Sequence, residues 1–334
     1  TYIAGTMESM GYTYGFNYNI GGSGPIVTTE FVHITAISGY ENLANGDRWI
    51  ATVGYEEYAG EEYRTLLVYK DDLETLSGLV WTTPSSASTS VALGIVGGEL
   101  IIATAGYACT NIYDGDTSGK MRPLIEVYDV NNAVLKWGWQ FGGDAEQGMF
   151  SSLSISSTLI CASGTVWSSS GASYFDPLTS ESAMIVACFD LAFSSGEPIL
   201  KFQSSDEYST FGIGLSLCSG GNVIWASGLA SCQPDSLIKD VLVRRIEFSS
   251  DYSVTSDTVY RSGEPSSLNT LGYTYELSSG RVIMGGTPIQ TNSTCDGYLL
   301  AFTTNSSWMG EGEDEGEGSL SQSVVVSGPQ APAP

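Results

Sequence analysis

Apolar and polar positions follow a repeating plan along this chain. The small-residue run "TYIAGT" (1–6) returns as "IATVGY" (50–55), "IIATAGY" (101–107), "CASGT" (161–165), "WASGL" (225–229) and "MGGT" (284–287). The glycines Gly5, Gly54, Gly106, Gly164, Gly228 and Gly286 are spaced 49, 52, 58, 64 and 58 residues apart. After each comes a variable polar stretch and then an apolar run: residues 14–20, 64–70, 124–130, 184–190, 241–248 and 297–303. A segment carrying one aromatic follows, at Phe31, Trp81, Trp137, Phe202, Tyr260 and Trp308. Before each later glycine run stands a further β-like run, "HITAIS", "SVALGIVG", "SSLSISS", "IGLSLCS" and "LGYTYEL". Short alternating runs bounded by turn residues read as strands, and no helical period is sustained anywhere.

The unit is therefore four strands in about 50 to 60 residues, a length typical of propeller blades. A four-stranded sheet cannot cover both its faces alone, and repetition around a ring covers them. The expected fold is all-β, a single six-bladed propeller of four-stranded antiparallel blades over residues 1–328, followed by a Pro-rich tail, 329–334. The pattern supplies only five first strands before the tail. The sixth is expected from "QSVVVSG" (322–328), which would lie beside residues 1–6 and close the ring. An acidic Gly/Glu segment, 309–319, links it to the last outer strand.

One blade carries a further signature. In "VYDVNNAVLKW" (127–137), Asp129 stands eight residues before Trp137, and "WGWQFGGDAEQG" (137–148) continues it. This resembles the blade motif of quinoprotein-like propellers and the repeats of secreted bacterial and archaeal propeller proteins, with Ala133 where the motif has glycine. The resemblance implies that the aromatic and the aspartate tie neighbouring blades together. It implies nothing catalytic.

Composition narrows the function. Against 37 carboxylates stand only 12 lysines and arginines, a formal charge of −25. No basic stripe exists to displace phosphate counterions, so nucleic acid is not an expected partner. No stretch approaches the roughly 20 apolar residues of a membrane helix. The sequons at Asn292 and Asn305, with the Ser/Thr/Tyr-rich composition, point to an extracellular or cell-surface glycoprotein.

The candidate chemistry is thin. The single histidine, His33, lies in a strand run, where packing is the commoner role. Arg244 and Arg245 are adjacent and point to opposite faces of a strand. In "YDGDTSGK", Asp114, Asp116 and Ser118 alternate before Gly119 as the oxygen ligands of a calcium loop do, but Ile125 stands where the closing glutamate belongs. A plain polar turn competes with calcium there, and no cofactor is required. Six cysteines show no metal spacing; Cys161 with Cys188, and Cys232 with Cys295, are the candidate disulfides.

Loops joining second to third strands emerge on one face of a propeller. They hold Tyr55, Tyr58, Tyr63, Tyr113, Trp167, Tyr174 and Phe175 among serines, glycines and acids. Exposed aromatics beside small polar groups suit glycan or protein contacts. The expected function is a non-catalytic surface propeller acting in structural assembly (surface layer or filament) or adhesion, with protein, glycan or its own copies as partners. The competing class is a secreted propeller hydrolase or lyase acting on polysaccharide. That class calls for clustered His, Arg and carboxylates at the inner-strand ends, where the sequence has small, apolar and hydroxyl residues.

Overall fold

The computed structural model describes residues 2–9, 12–19, 25–30, 32–70, 75–109, 119–130, 134–141, 146–169, 175–178, 180–192, 196–206, 209–217, 222–231, 239–261, 270–276, 281–287, 298–303, 318–319 and 323–324. Every regular element among them is a β-strand. Among the described residues no helix is long and apolar enough to cross a membrane.

The strands form six sheets in chain order. The first holds β1 (Tyr2–Ser9), β2 (Tyr12–Asn19) and β3 (Pro25–Glu30). The second holds β4 (Val32–Glu41), β5 (Arg48–Tyr58), β6 (Glu61–Lys70) and β7 (Thr75–Pro84). The third is β8 (Ser86–Val96), β9 (Glu99–Ala108), β10 (Arg122–Asp129) and β11 (Leu135–Gln140). The fourth is β12 (Gln147–Ile155), β13 (Leu159–Ser168), β14 (Ala183–Asp190) and β15 (Leu200–Gln203). The fifth runs through β16 (Thr210–Leu217), β17 (Val223–Ser231), β18 (Lys239–Phe248) and β19 (Val254–Arg261). The sixth begins with β20 (Thr270–Glu276), β21 (Arg281–Thr287) and β22 (Tyr298–Thr303). Each is an antiparallel meander, the arrangement that short turns allow.

Two short strands complete the set. β23 (Gly318–Ser319) pairs in parallel with the edge of β19, and β24 (Ser323–Val324) pairs antiparallel with β22. This corrects one expectation: residues 323–324 add to the sixth sheet instead of lying beside β1. A short Ser/Val strand offers the same ladder groups to either edge, so its pattern does not choose between them. β1 packs against β4 as β5 packs against β8, so β1 holds a second-strand position.

The repeated glycines mark a repeated bulge. In the second to sixth sheets the first strand slips register beside the glycine of the second: after Ile34, Ser88, Phe150, Gly212 and Leu271, which face Gly54, Gly106, Gly164, Gly228 and Gly286. The extra residue pushes a carbonyl into the neighbouring strand. A Cβ on Gly54 would lie 1.7 Å from His33 O, and one on Gly106 2.1 Å from Ala87 O. Only glycine fits there.

The bulges also explain the hydroxyls of the first strands. Thr35 Oγ1 donates to Ser88 O of the next sheet at 2.6 Å, and Thr89 Oγ1 donates to Phe150 O at 2.6 Å. In return, the Leu93, Leu153 and Leu215 N–H groups donate to Ser38, Ser90 and Ser152 Oγ, each at 3.1 Å. First strands of successive sheets are thus stitched through side chains, because backbone groups facing another sheet have no ladder partner of their own.

The apolar cores lie between sheets. One joins Val53, Leu66 and Val68 of the second sheet to Ile102 and Tyr128 of the third; the next joins Ile125 and Phe141 to Phe150, Ile185 and Phe189 of the fourth. Third strands are covered on both faces, so β10 and β14 are buried almost end to end. Fourth strands contribute aromatics across the gap. Trp137 meets Phe189 edge-on with ring centres 4.8 Å apart, and Phe202 lies under the Arg244 guanidinium at 5.5 Å. Cys161 and Cys188 sit opposite each other on β13 and β14 and form a buried disulfide.

Charged latches reinforce two of these seams. Arg64 of β6 and Glu126 of β10 form a fully buried ion pair, and Tyr128 donates its hydroxyl to the same carboxylate oxygen at 2.6 Å. Arg244 of β18 is held between Asp206, which follows β15, and Asp257 of β19. Burial pushes the Asp257 carboxyl above the usual range, opposed by Arg244 and aided by the negative charge of Asp206.

Candidate binding face

The β5–β6 hairpin joins a second strand to a third by a tight turn. Its two-residue turn, Ala59-Gly60, has φ of 55° and 83°, the left-handed pair of a type I′ turn. That turn matches the strand twist and lets the ladder run unbroken from Trp49↔Lys70 to Tyr58↔Glu61. Tyr58 stands at the tip, 70% exposed.

Cross-strand partners share a face, so Tyr55 and Arg64 lie with Glu57 and Glu62. This side turns toward the third sheet. Arg64 is drawn down to Glu126, while Glu62 Oε2 accepts the Tyr107 hydroxyl of β9 at 2.6 Å. Glu61 accepts the hydroxyl of Ser85, whose carbonyl in turn takes the Cys109 N–H. The His33 ring stacks on Tyr55, with centres 4.6 Å apart and planes 13° from parallel. Tyr63 is half-buried opposite Pro84 of β7.

Three titratable groups at this end of the hairpin are shifted upward. Burial, then Glu62 and Glu57, raise the Tyr55 phenol. Burial, the Glu62 hydrogen bond and the Glu62 charge push the Tyr107 phenol far up. Burial, then Glu62 and Glu61, raise the Cys109 thiol, which keeps it protonated and a poor nucleophile at neutral pH. This end of the hairpin offers hydroxyls, carboxylate oxygens and ring faces held in place by the neighbouring sheet.

The other expected contacts divide. Trp167 is half-buried at the corresponding end of β13. Phe175 departs from the exposure expected of it: it is 5% exposed and stacks on Phe141, with ring centres 5.2 Å apart. Its N–H donates to the buried carboxylate of Glu146 at 2.8 Å, and its carbonyl accepts from Ser169 at 2.9 Å. The apolar slot beside Phe141 and Phe150 takes the ring, so Phe175 anchors the β13–β14 loop. Tyr113, Tyr174, Asp114, Asp116, Ser118, Asn292, Asn305, Cys232 and Cys295 lie outside the described residues. Among the described residues no three acidic, histidine or cysteine groups are placed to hold a metal.

Sequence reasoning missed Tyr107 and Glu62. The signal was present: Tyr107 follows Gly106 as Tyr55 follows Gly54, at one repeat position in neighbouring sheets.

No protein-family model matches the chain, and no curated protein matches it by sequence. Among solved structures it is similar to one described as "Structure of Dos1 propeller", at 9% identity and a TM-score of 0.44, covering 82% of this chain. The matched region spans 59% of that chain.

Proposed function

We propose that the six sheets are the blades of a propeller that serves as a non-catalytic extracellular or cell-surface module, binding protein or glycan partners through the face bearing Tyr55, Tyr58, Tyr63 and Trp167 in structural assembly or adhesion. The observation that carries this reading is how the first strands use their polar groups. Thr35, Ser38, Thr89, Ser90 and Ser152 are engaged in sheet-to-sheet hydrogen bonds, where an enzyme of this architecture would present its reacting groups. The β5–β6 hairpin instead presents an exposed tyrosine on a rigid ladder, the arrangement by which loops on a scaffold carry recognition. The buried Cys161–Cys188 bridge supports an oxidising compartment. Calcium in the loop of Asp114, Asp116 and Ser118 belongs to this reading as an accessory ion.

The test is a panel of acidic and neutral polysaccharides, scored for retention of the protein and for release of reducing or unsaturated ends. Retention without turnover is expected, with loss of retention in the Tyr58→Ala/Trp167→Ala double variant while the fold is kept. Turnover would replace this reading with a polysaccharide hydrolase or lyase. Retention unchanged in the double variant would move the site off this face.

A further inference from the structure

The turn between β4 and β5 holds the one Asn-Gly step of the sequence, Asn45-Gly46. Asn42 N–H donates to Asp47 O at 2.8 Å and closes the loop, and Asn42 Oδ1 accepts the Ala44 N–H at 3.0 Å. Gly46 takes φ of 79°, and nothing lies within 4 Å of the place a Cβ would occupy, so the backbone beside Asn45 is open to solvent. The Asn45 carboxamide folds over its own backbone. Its Oδ1 accepts the Asp47 N–H at 3.1 Å, and its Nδ2 donates to Asp47 Oδ2 at 3.0 Å. This is an Asx turn, which holds the amide against the backbone that follows it.

We propose that Asn45 is a self-modification site, converting through a cyclic imide to isoaspartate and aspartate. The Gly46 nitrogen loses its proton to hydroxide and attacks Cγ of Asn45. The Cγ–Nδ2 bond breaks and ammonia leaves with a proton, closing a five-membered imide. Water then opens either carbonyl, giving isoaspartate when the original peptide bond is cut and aspartate when the new bond is. No oxidant or other reactant is needed.

Three features of the turn bear on the rate. The Asp47 N–H on Oδ1 polarises the carbonyl toward attack and supports the charge that develops on oxygen. The absence of a Cβ on residue 46 leaves the nitrogen unshielded. The Gly46 N–H donates to Asn42 O at 2.7 Å, which slows the loss of its proton to hydroxide. The product adds a negative charge beside Asp47, which already pairs with Lys70 at 3.3 Å. Isoaspartate also lengthens the backbone by one methylene in the turn that sets the β4–β5 register. The change falls at the end of the sheet opposite the β5–β6 hairpin, so the binding face is left as it was.

The experiment incubates the folded protein at neutral and mildly alkaline pH and maps peptides by mass spectrometry. The expected result is a gain of ~1 Da on the peptide containing Asn45, faster at the higher pH and accompanied by new sites for an isoaspartyl methyltransferase. Both signals are lost in Asn45→Gln, whose longer side arm does not close a five-membered ring. An unmodified Asn45 in the folded protein, under conditions that convert it in the urea-unfolded protein, would overturn the proposal. So would a gain that persists in Asn45→Gln.

Discussion

At the scale of single residues, the decisive contact is a glycine against a carbonyl. Gly106 faces Ala87 O at a distance no side chain tolerates, and Gly164 and Gly228 meet Met149 O and Phe211 O in the same way. Gly106→Ala is therefore expected to destabilise the protein by about 3 kcal/mol, since the clash is with backbone that cannot rotate away. Urea unfolding reads this out, and Gly98→Ala is the contrasting case: at φ of 88° it is strained but has nothing within 4 Å to strike. The glycine spacing was legible in the sequence because the need recurs once per sheet. The bulge that creates the need was not, because an extra residue in one strand leaves the alternating pattern of its neighbours intact. Phe175 shows the other limit. An aromatic in a Ser/Gly-rich loop reads the same whether it faces solvent or a slot, and only the gap beside Phe141 decides.

Among elements, backbone ladders hold the strands of each sheet, and side chains that cross the gaps hold the sheets to one another. The Arg64–Glu126 latch is fully buried, so its desolvation cost is large and its value lies in being paired. Glu126→Leu alone is expected to cost about 3–5 kcal/mol, because it removes the carboxylate that pairs with a buried guanidinium. Arg64→Met combined with Glu126→Leu should recover most of that loss. Additive losses in the double variant would mean the two groups do not act as a pair; chemical denaturation of the four proteins in the cycle decides. Strand order was legible at this scale from the runs and their spacing, and so was the aromatic of the fourth strand, which for Trp137 and Phe202 reaches the next sheet. The cross-sheet partners were not. Arg64 and Glu126 are 62 residues apart, and no pattern within a repeat connects them. The pairing of β24 with β22 escaped for a related reason, since a two-residue ladder carries little side-chain information.

For the whole molecule, the central question is how the sheets follow one another. Each packs its first strand on the next, from β4 through β8, β12 and β16 to β20. A propeller requires that succession to curve back on itself, so that the loops at one end of the strands form a common face. The formal charge of −25 would then be spread around a rim, and the aromatic hairpin would rise from it. Pulsed electron–electron resonance between spin labels tests this most directly. One label is placed at Ala44 and the second in turn at Gly98, Ser157, Asn222 and Ser279, the first-to-second-strand connections of the third to sixth sheets, using a non-cysteine handle to spare the native thiols. In a six-bladed ring the distance from Ala44 rises to a maximum at Asn222 and falls again at Ser279. A distance that keeps increasing to Ser279 would mean an open row of sheets, and would contradict the propeller and the shared binding face together.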